Sequence, residues 1–177
     1  SKVKSYSDSD DHQFGFKAHH STGLCTNTMK SSHVFACFVD FSKAFDEVNY
    51  WKLFNKLLDD NIDCNIVALL AVWYSEQQAC IQWKNTVSSP ISIGNGTRQG
   101  GLISPYFFTR YIRELICSIV QSNVGCNIGG VFYNLLAYAD DIVLLAPIWR
   151  ALQLLINLLS NSALDINMSC NVAKTVC

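Results

Sequence analysis

Leu135-Leu136-Ala137-Tyr138-Ala139-Asp140-Asp141-Ile142-Val143-Leu144-Leu145-Ala146 sets two adjacent carboxylates between two apolar runs. Short apolar runs bounded by polar residues read as strands. The stretch therefore predicts a hairpin, with residues 131–138 and 142–146 as its strands and Asp140 and Asp141 at the bend. One hundred residues before Asp140, residues 34–41 form another compact run rich in β-branched and aromatic side chains, which predicts a buried strand ending at Asp40.

The rest of the chain supplies what covers these strands. Residues 47–58 follow a helical period with Val48, Trp51, Phe54, Leu57 and Leu58 on one face, and residues 65–75 predict a second helix. Asp46 lies where a first-helix cap is expected. Residues 79–83 and 87–93, split by Lys84-Asn85-Thr86, predict another hairpin. The run Gly94-Asn95-Gly96-Thr97-Arg98-Gln99-Gly100-Gly101 leads into a helix over 104–121, whose first turn accepts Pro105. A last helix is predicted over 149–162. Strand, helices, hairpin, helix, hairpin and helix together indicate an α+β fold with helices packed on one face of an antiparallel sheet.

Composition narrows the class. A chain of 177 residues suffices for one domain with a core, and with half its residues apolar and 15% charged it is neither disordered nor fibrous. Its most apolar stretches, 66–74 and 142–148, fall well short of the ~20 residues a membrane span needs, so no membrane association is expected. The opening stretch is polar and acidic, which is no secretory leader and points to an intracellular protein. A start at Ser1 rather than Met reads as an excerpt of a longer polypeptide. The eight cysteines form no C-x-x-C pair, lie mostly singly in apolar runs and read as reduced core residues. His12, His19, His20 and His33 make no zinc pattern with them. A net charge of −1 argues against a self-sufficient nucleic-acid binder, unless acidic residues gather at a metal site and basic segments lie elsewhere in a longer protein.

One Asp at a strand end and an Asp pair at a hairpin tip suit phosphoryl transfer. Carboxylates are hard ligands for Mg²⁺, and two ions can clamp the attacking and leaving oxygens. Asp40 and Asp140 would bridge the ions; Asp141, a strand neighbour facing the other way, would serve differently. The competing reading is an ordinary Asp-containing turn.

Phe38-Val39-Asp40-Phe41-Ser42-Lys43-Ala44-Phe45-Asp46, Gly96-Thr97-Arg98-Gln99-Gly100-Gly101-Leu102-Ile103-Ser104-Pro105 and Ala137-Tyr138-Ala139-Asp140-Asp141 decide between these readings. In this order and spacing they resemble the first three catalytic motifs of reverse transcriptases, in the form carried by non-LTR (LINE-type) retrotransposons. Gln13-Phe14-Gly15-Phe16-Lys17 with His20-Ser21-Thr22 resembles the fingers segment, and Asn171-Val172-Ala173-Lys174-Thr175 resembles the fourth palm motif. The resemblance covers nearly the whole chain. It implies a partial reverse transcriptase domain over 1–177, with about 1–33 from the fingers, 34–177 mainly palm, and no thumb.

The resemblance also implies roles. Asp40 and Asp140 would hold two Mg²⁺ ions, with Mn²⁺ as a possible substitute, and Asp141 would be a nearby, less direct carboxylate. Phe45 would close against the sugar and exclude a ribose 2′-hydroxyl. Arg98, Gln99, Gly100 and Tyr138 would lie at the nucleotide, Lys17 would contact triphosphate or template, and Lys174 would protonate departing pyrophosphate. The partners implied are an RNA template, a DNA primer and deoxynucleoside triphosphates, with the cytoplasm and, during integration, the nucleus as locations. Oligomeric state is not legible. A group II intron-type maturase shares Tyr138-Ala139-Asp140-Asp141, whereas residues 41–46 and Arg98-Gln99-Gly100 favour the retrotransposon. A non-catalytic, domesticated nucleic-acid-binding module is the alternative from another class.

Overall fold

The computed structural model describes residues 33–98, 100–128 and 130–177. The described residues divide into two compact units, one formed by residues 33–44 together with Ile112–Cys177, the other by Phe45–Tyr111.

The first unit is built on a three-stranded antiparallel sheet. β1 (Phe35–Val39) lies beside β9 (Asp141–Ala146), which pairs in turn with β8 (Leu135–Tyr138). A short ladder of β6 (Cys126–Ile128) and β7 (Val131–Tyr133) precedes them. Alternation along the strands divides the sheet. Cys37, Val39, Leu135, Ala137, Ile142 and Leu144 are buried, while Phe38 and Tyr138 are exposed. The helix over Trp149–Asp165 packs on β1 and β9 and buries Leu152, Leu155, Leu159 and Ala163, a stripe at helical spacing. The helix over Ser104–Val120 contributes Ile112, Leu115, Ile116 and Ile119 to the same core. Asn134, fully buried, donates from Nδ2 to the Ile119 carbonyl at 2.7 Å, satisfying a group near that helix's C-terminal end.

β1 is not the fully buried strand expected. Phe38 is 59% exposed because it points to the sheet face opposite Cys37 and Val39, while Phe35, on their face but at the start of the strand, is 46% exposed. The far edge of β1 is met by the segment around Cys170 to Val176. Phe38 and Val176 exchange backbone hydrogen bonds of 2.7 and 3.0 Å, and Ser42 N–H donates to the Ser169 carbonyl at 2.9 Å. This pairing corrects the reading of the cysteines. Cys37 and Cys177, 140 residues apart in sequence, are joined as a disulfide, and Cys64 and Cys80 are exposed. Among the other described cysteines only Cys126 is a buried free thiol, and Cys25 lies outside the described residues.

In the second unit, α1 (Tyr50–Asp59) packs against α2 (Cys64–Ser75). Labelled in chain order, Ser104–Val120 is α3 and Trp149–Asp165 is α4. α1 starts later than its hydrophobic period suggested. Asn49, not Asp46, is the cap, its side chain accepting from Lys52 N–H at 3.0 Å. The buried face is Tyr50, Leu53, Phe54 and Leu57; Trp51 is 69% exposed and Leu58 also faces outward. The hairpin is nested, β2 (Gln78–Ala79) pairing with β5 (Ile91–Ser92) and β3 (Gln82–Trp83) with β4 (Thr86–Val87). α3 begins at Ser104 with Pro105 in its first turn, as expected. Its Arg110 is 8% exposed, ion-pairs with Asp60 and donates to the Lys56 carbonyl at 3.1 Å.

Candidate active site

The sheet closes the hundred-residue gap between the carboxylates. β1 and β9 pair from Phe35↔Ala146 to Val39↔Ile142, and one further residue along each chain reaches Asp40 and Asp141. Tyr138 pairs with Asp141, so Ala139 and Asp140 form a two-residue turn between β8 and β9. Ala139 has φ 55°, a left-handed conformation disfavoured for a residue with a Cβ, and this is the backbone that presents Asp140. Such strain collects where a side chain must be aimed. Burial raises the Asp140 carboxyl above the usual aspartate range, and the negative charges of Asp141 and Asp40 push it further the same way. A hydrogen bond from its own backbone N–H opposes this in part.

Asp40 is held through its backbone. Its carbonyl accepts from Asn171 N–H at 2.7 Å, and its N–H points at Thr175 Oγ1 at 3.4 Å. Asn171 in turn accepts from Lys174 and Thr175 N–H at 3.1 and 2.9 Å, a tight turn that sets Lys174 Nζ 3.9 Å from Asp40 Oδ2. Asp40, Asp140, Asp141 and Lys174 thus belong to one end of the sheet. Tyr138, half exposed, stands across the ladder from Asp141.

The three carboxylates do not by themselves make a closed metal cage. Among the described residues, no three His, Cys, Asp or Glu side chains are arranged to hold one ion. Asp140 sits in the turn between β8 and β9, and Asp141 beside it is exposed. Mg²⁺ does not require such a cage, since it typically takes one or two protein carboxylates and completes its shell with water and substrate phosphate. A part-buried Asp140 whose carboxyl is raised by burial and further by the charges of Asp141 and Asp40 belongs to a hard, electron-rich donor set, and that chemistry fits a divalent cation.

The second unit carries the other expected residues. Phe45 is half-buried, its ring stacked on Phe108 at 4.3 Å between centroids and 19° between planes. The glycine run is anchored to the same stretch. Gly96 N–H donates to the Val48 carbonyl at 2.9 Å and Thr97 N–H to the Phe45 carbonyl at 2.7 Å. Gly96, with φ +95°, is the glycine that close approach demands: a Cβ there would stand 2.9 Å from the Asp46 Cα. Gly100 has φ +78° but open space around it, so its requirement is conformational. Arg98 is exposed and Tyr106 half exposed. Gln99 and Lys17 lie outside the described residues. Phe108 was not singled out by sequence reasoning, and Gly96 and Asn171 entered only as members of motifs, without a role of their own. Phe108 hid inside an unbroken helical pattern, and the other two act through backbone groups, which leave little side-chain signal.

Comparison with known proteins agrees with this geometry. Residues 2–177 match the family model described as Reverse transcriptase (RNA-dependent DNA polymerase). The chain is 26% identical over 128 residues to the Retrovirus-related Pol polyprotein from type-2 retrotransposable element R2DM of Drosophila melanogaster, covering 71% of this chain and 12% of that protein. It is 30% identical over 109 residues to the Pol polyprotein from a type-1 retrotransposable element R2 of Popillia japonica, covering 60% of this chain and 15% of the relative. The chain therefore spans only a small part of these relatives. Among solved structures, apo telomerase from Candida tropicalis superposes with a TM-score of 0.63 at 16% identity, over 86% of this chain and 32% of that one. This likeness supports a reverse-transcriptase-like α+β fold.

Proposed function

Because the chain belongs to the reverse transcriptase (RNA-dependent DNA polymerase) family, we propose that it forms catalytic core of a non-LTR retrotransposon protein. That protein extends a DNA 3′-hydroxyl on an RNA template with deoxynucleoside triphosphates and releases pyrophosphate. The observation that carries this reading is that the strand pairing brings Asp40, Asp140 and Asp141 to one end of the sheet, where burial first, and then the charges of Asp141 and Asp40, raise Asp140. In this reading residues 34–177 are mainly palm and the preceding residues belong to the fingers. The protein works in the cytoplasm as a ribonucleoprotein and in the nucleus during integration.

Asp40 and Asp140 would hold two Mg²⁺, or Mn²⁺, with Asp141 assisting from the exposed side. Bound there, the ions would supply positive charge to the reacting oxygens. The chain's own residues do the rest. Lys174 holds a proton at Nζ for the departing pyrophosphate, a role for which a cation beside Asp40 is suited. Phe45 presents its open face to the sugar and excludes a 2′-hydroxyl sterically. Arg98 offers a guanidinium fork to phosphate. Gln99, Gly100 and Tyr138 lie against the nucleotide, and Lys17 contacts triphosphate or template.

Primer extension by the full-length protein on an RNA template tests the reading. Expected is DNA synthesis that requires deoxynucleotides and a divalent ion and stops with Asp40→Asn. RNA binding with no extension in either Mg²⁺ or Mn²⁺ would instead identify a non-catalytic nucleic-acid-binding module.

A further inference from the structure

Phe45 is half-buried, so its ring has an inner face and an outer one. The inner face lies on Phe108 of α3, which is completely buried and nearly parallel to it at 4.3 Å. Its backbone is held independently. The Phe45 carbonyl accepts from Thr97 N–H and the Val48 carbonyl from Gly96 N–H, so the glycine-rich run grips residues 45 to 48 at both ends. Four residues after Phe45, Asn49 N–H donates to Tyr111 Oη at 3.3 Å, a second point of attachment to α3 about one turn along from Phe108. The backbone of Phe45 is therefore fixed by hydrogen bonds that any side chain would permit. The direction of its ring is left to the stacking partner.

We propose that Phe108 is the positioning residue for sugar selection: by stacking on the inner face of Phe45 it fixes the plane in which that ring meets the substrate. The inference rests on the proposed role of Phe45 and goes beyond it. A steric filter works only as well as its wall is rigid, since a ring free to rotate about its side-chain bonds yields to a 2′-hydroxyl. Phe45 has two such bonds, and the backbone contacts constrain neither. An offset stack is favourable beyond its buried area and is lost once either ring turns away. Phe108 touches no substrate in this account and acts only through Phe45.

The test is a double-mutant cycle in the full-length protein, reading kcat/KM for deoxynucleotides over kcat/KM for ribonucleotides, a ratio that does not depend on the fraction folded. Phe108→Leu fills much of the buried volume without a ring, Phe108→Met does so with a more flexible chain, and Phe108→Tyr keeps the ring; thermal melting accompanies each. Loss of the stack should lower the ratio about 2- to 10-fold in Phe108→Leu or Phe108→Met, the range expected of one aromatic pair. Phe108→Tyr should keep most of it. In the Phe45→Ala background, Phe108→Leu should change nothing further. If Phe45→Ala lowers the ratio and neither Phe108→Leu nor Phe108→Met does, the inference falls and the gate stands. Additive losses in the double variant would also overturn it, showing that Phe108 acts elsewhere. An unchanged ratio in folded Phe45→Ala removes the gate itself and the inference with it.

Discussion

Lys174 Nζ stands 3.9 Å from Asp40 Oδ2, and the main chain rather than the ion pair keeps it there. Both side chains reach solvent, 70% and 38% exposed, so the attraction itself contributes little to stability. The turn closed on Asn171 and the backbone exchange between Phe38 and Val176 do the positioning. Lys174 can therefore serve chemistry without being needed by the fold.

Lys174→Ala should accordingly leave the melting temperature nearly unchanged and lower kcat about 10²-fold or more, the usual contribution of a positioned proton donor. Lys174→Arg keeps the charge but not the acidity and should recover only part of the loss. Single-turnover incorporation alongside a thermal melt checks both. An unchanged kcat would make Lys174 a surface lysine.

Asp140 predicts a conflict between stability and function. Its pKa is raised by burial first and then by Asp141 and Asp40, so the native state binds more protons than the unfolded state as the pH climbs from the ordinary aspartate value to the raised one. Stability must fall across that interval and stay reduced above it. Without divalent ions at pH 7, Asp140→Asn should thus melt higher than the parent, and the gap should close on acidification. Adding Mg²⁺ should raise the parent more than the variant. A variant that melts lower at pH 7 would mean the carboxylate is stabilised by a partner.

Lys56 predicts the opposite slope. Burial lowers it to about 8, helped by Arg110 and Lys52, so above that pH the native state holds fewer protons than the unfolded chain. Stability should rise with pH from about 8 toward the ordinary lysine value, and Lys56→Met should flatten the rise. Cys126, Cys170 and Tyr50, Tyr74 and Tyr111, all raised mainly by burial, oppose it from about pH 9 upward, so the difference between parent and variant is the quantity to follow.

Asp60 anchors that region. Its carboxylate meets Arg110, and the two side chains are 11% and 8% exposed. Asp60→Ala would strand a buried guanidinium, at a cost of about 3 to 5 kcal/mol. Denaturant titration measures it; a loss below about 1 kcal/mol would show that Arg110 finds its other partners sufficient.

How legible was this in the sequence? The strands around Asp40 and Asp140 and the hairpin between them were, because apolar runs flanking short polar turns have few other uses. Their register also places the carboxylates together, since alternation fixes which face is buried. What escaped was set by partners outside each segment. Trp51 fits a helical period drawn through Val48 yet lies exposed, because Val48 precedes α1 and the face that is buried runs through Tyr50, Leu53, Phe54 and Leu57. The half-exposure of β1 depends on which sheet face the helices cover. Pairing of Cys37 with Cys177 follows from the last segment running along β1, which no local pattern announces. Lys174 was visible only by resemblance, and Phe108 not at all, since a buried aromatic in a helix looks the same whatever it supports.

Asp40 and Asp140 are proposed as the metal-bearing carboxylates of a polymerase. Single-nucleotide incorporation on an RNA template, measured against Mg²⁺ concentration for the full-length protein and for Asp40→Asn and Asp140→Asn, tests this assignment most directly. Incorporation by the parent should saturate with Mg²⁺. Each variant, folded by its melting curve, should lose at least about 10²- to 10³-fold at every Mg²⁺ concentration, as removal of charge support at a transition state does. Folded variants that incorporate at near-parental rates would contradict it and place the catalytic metal elsewhere.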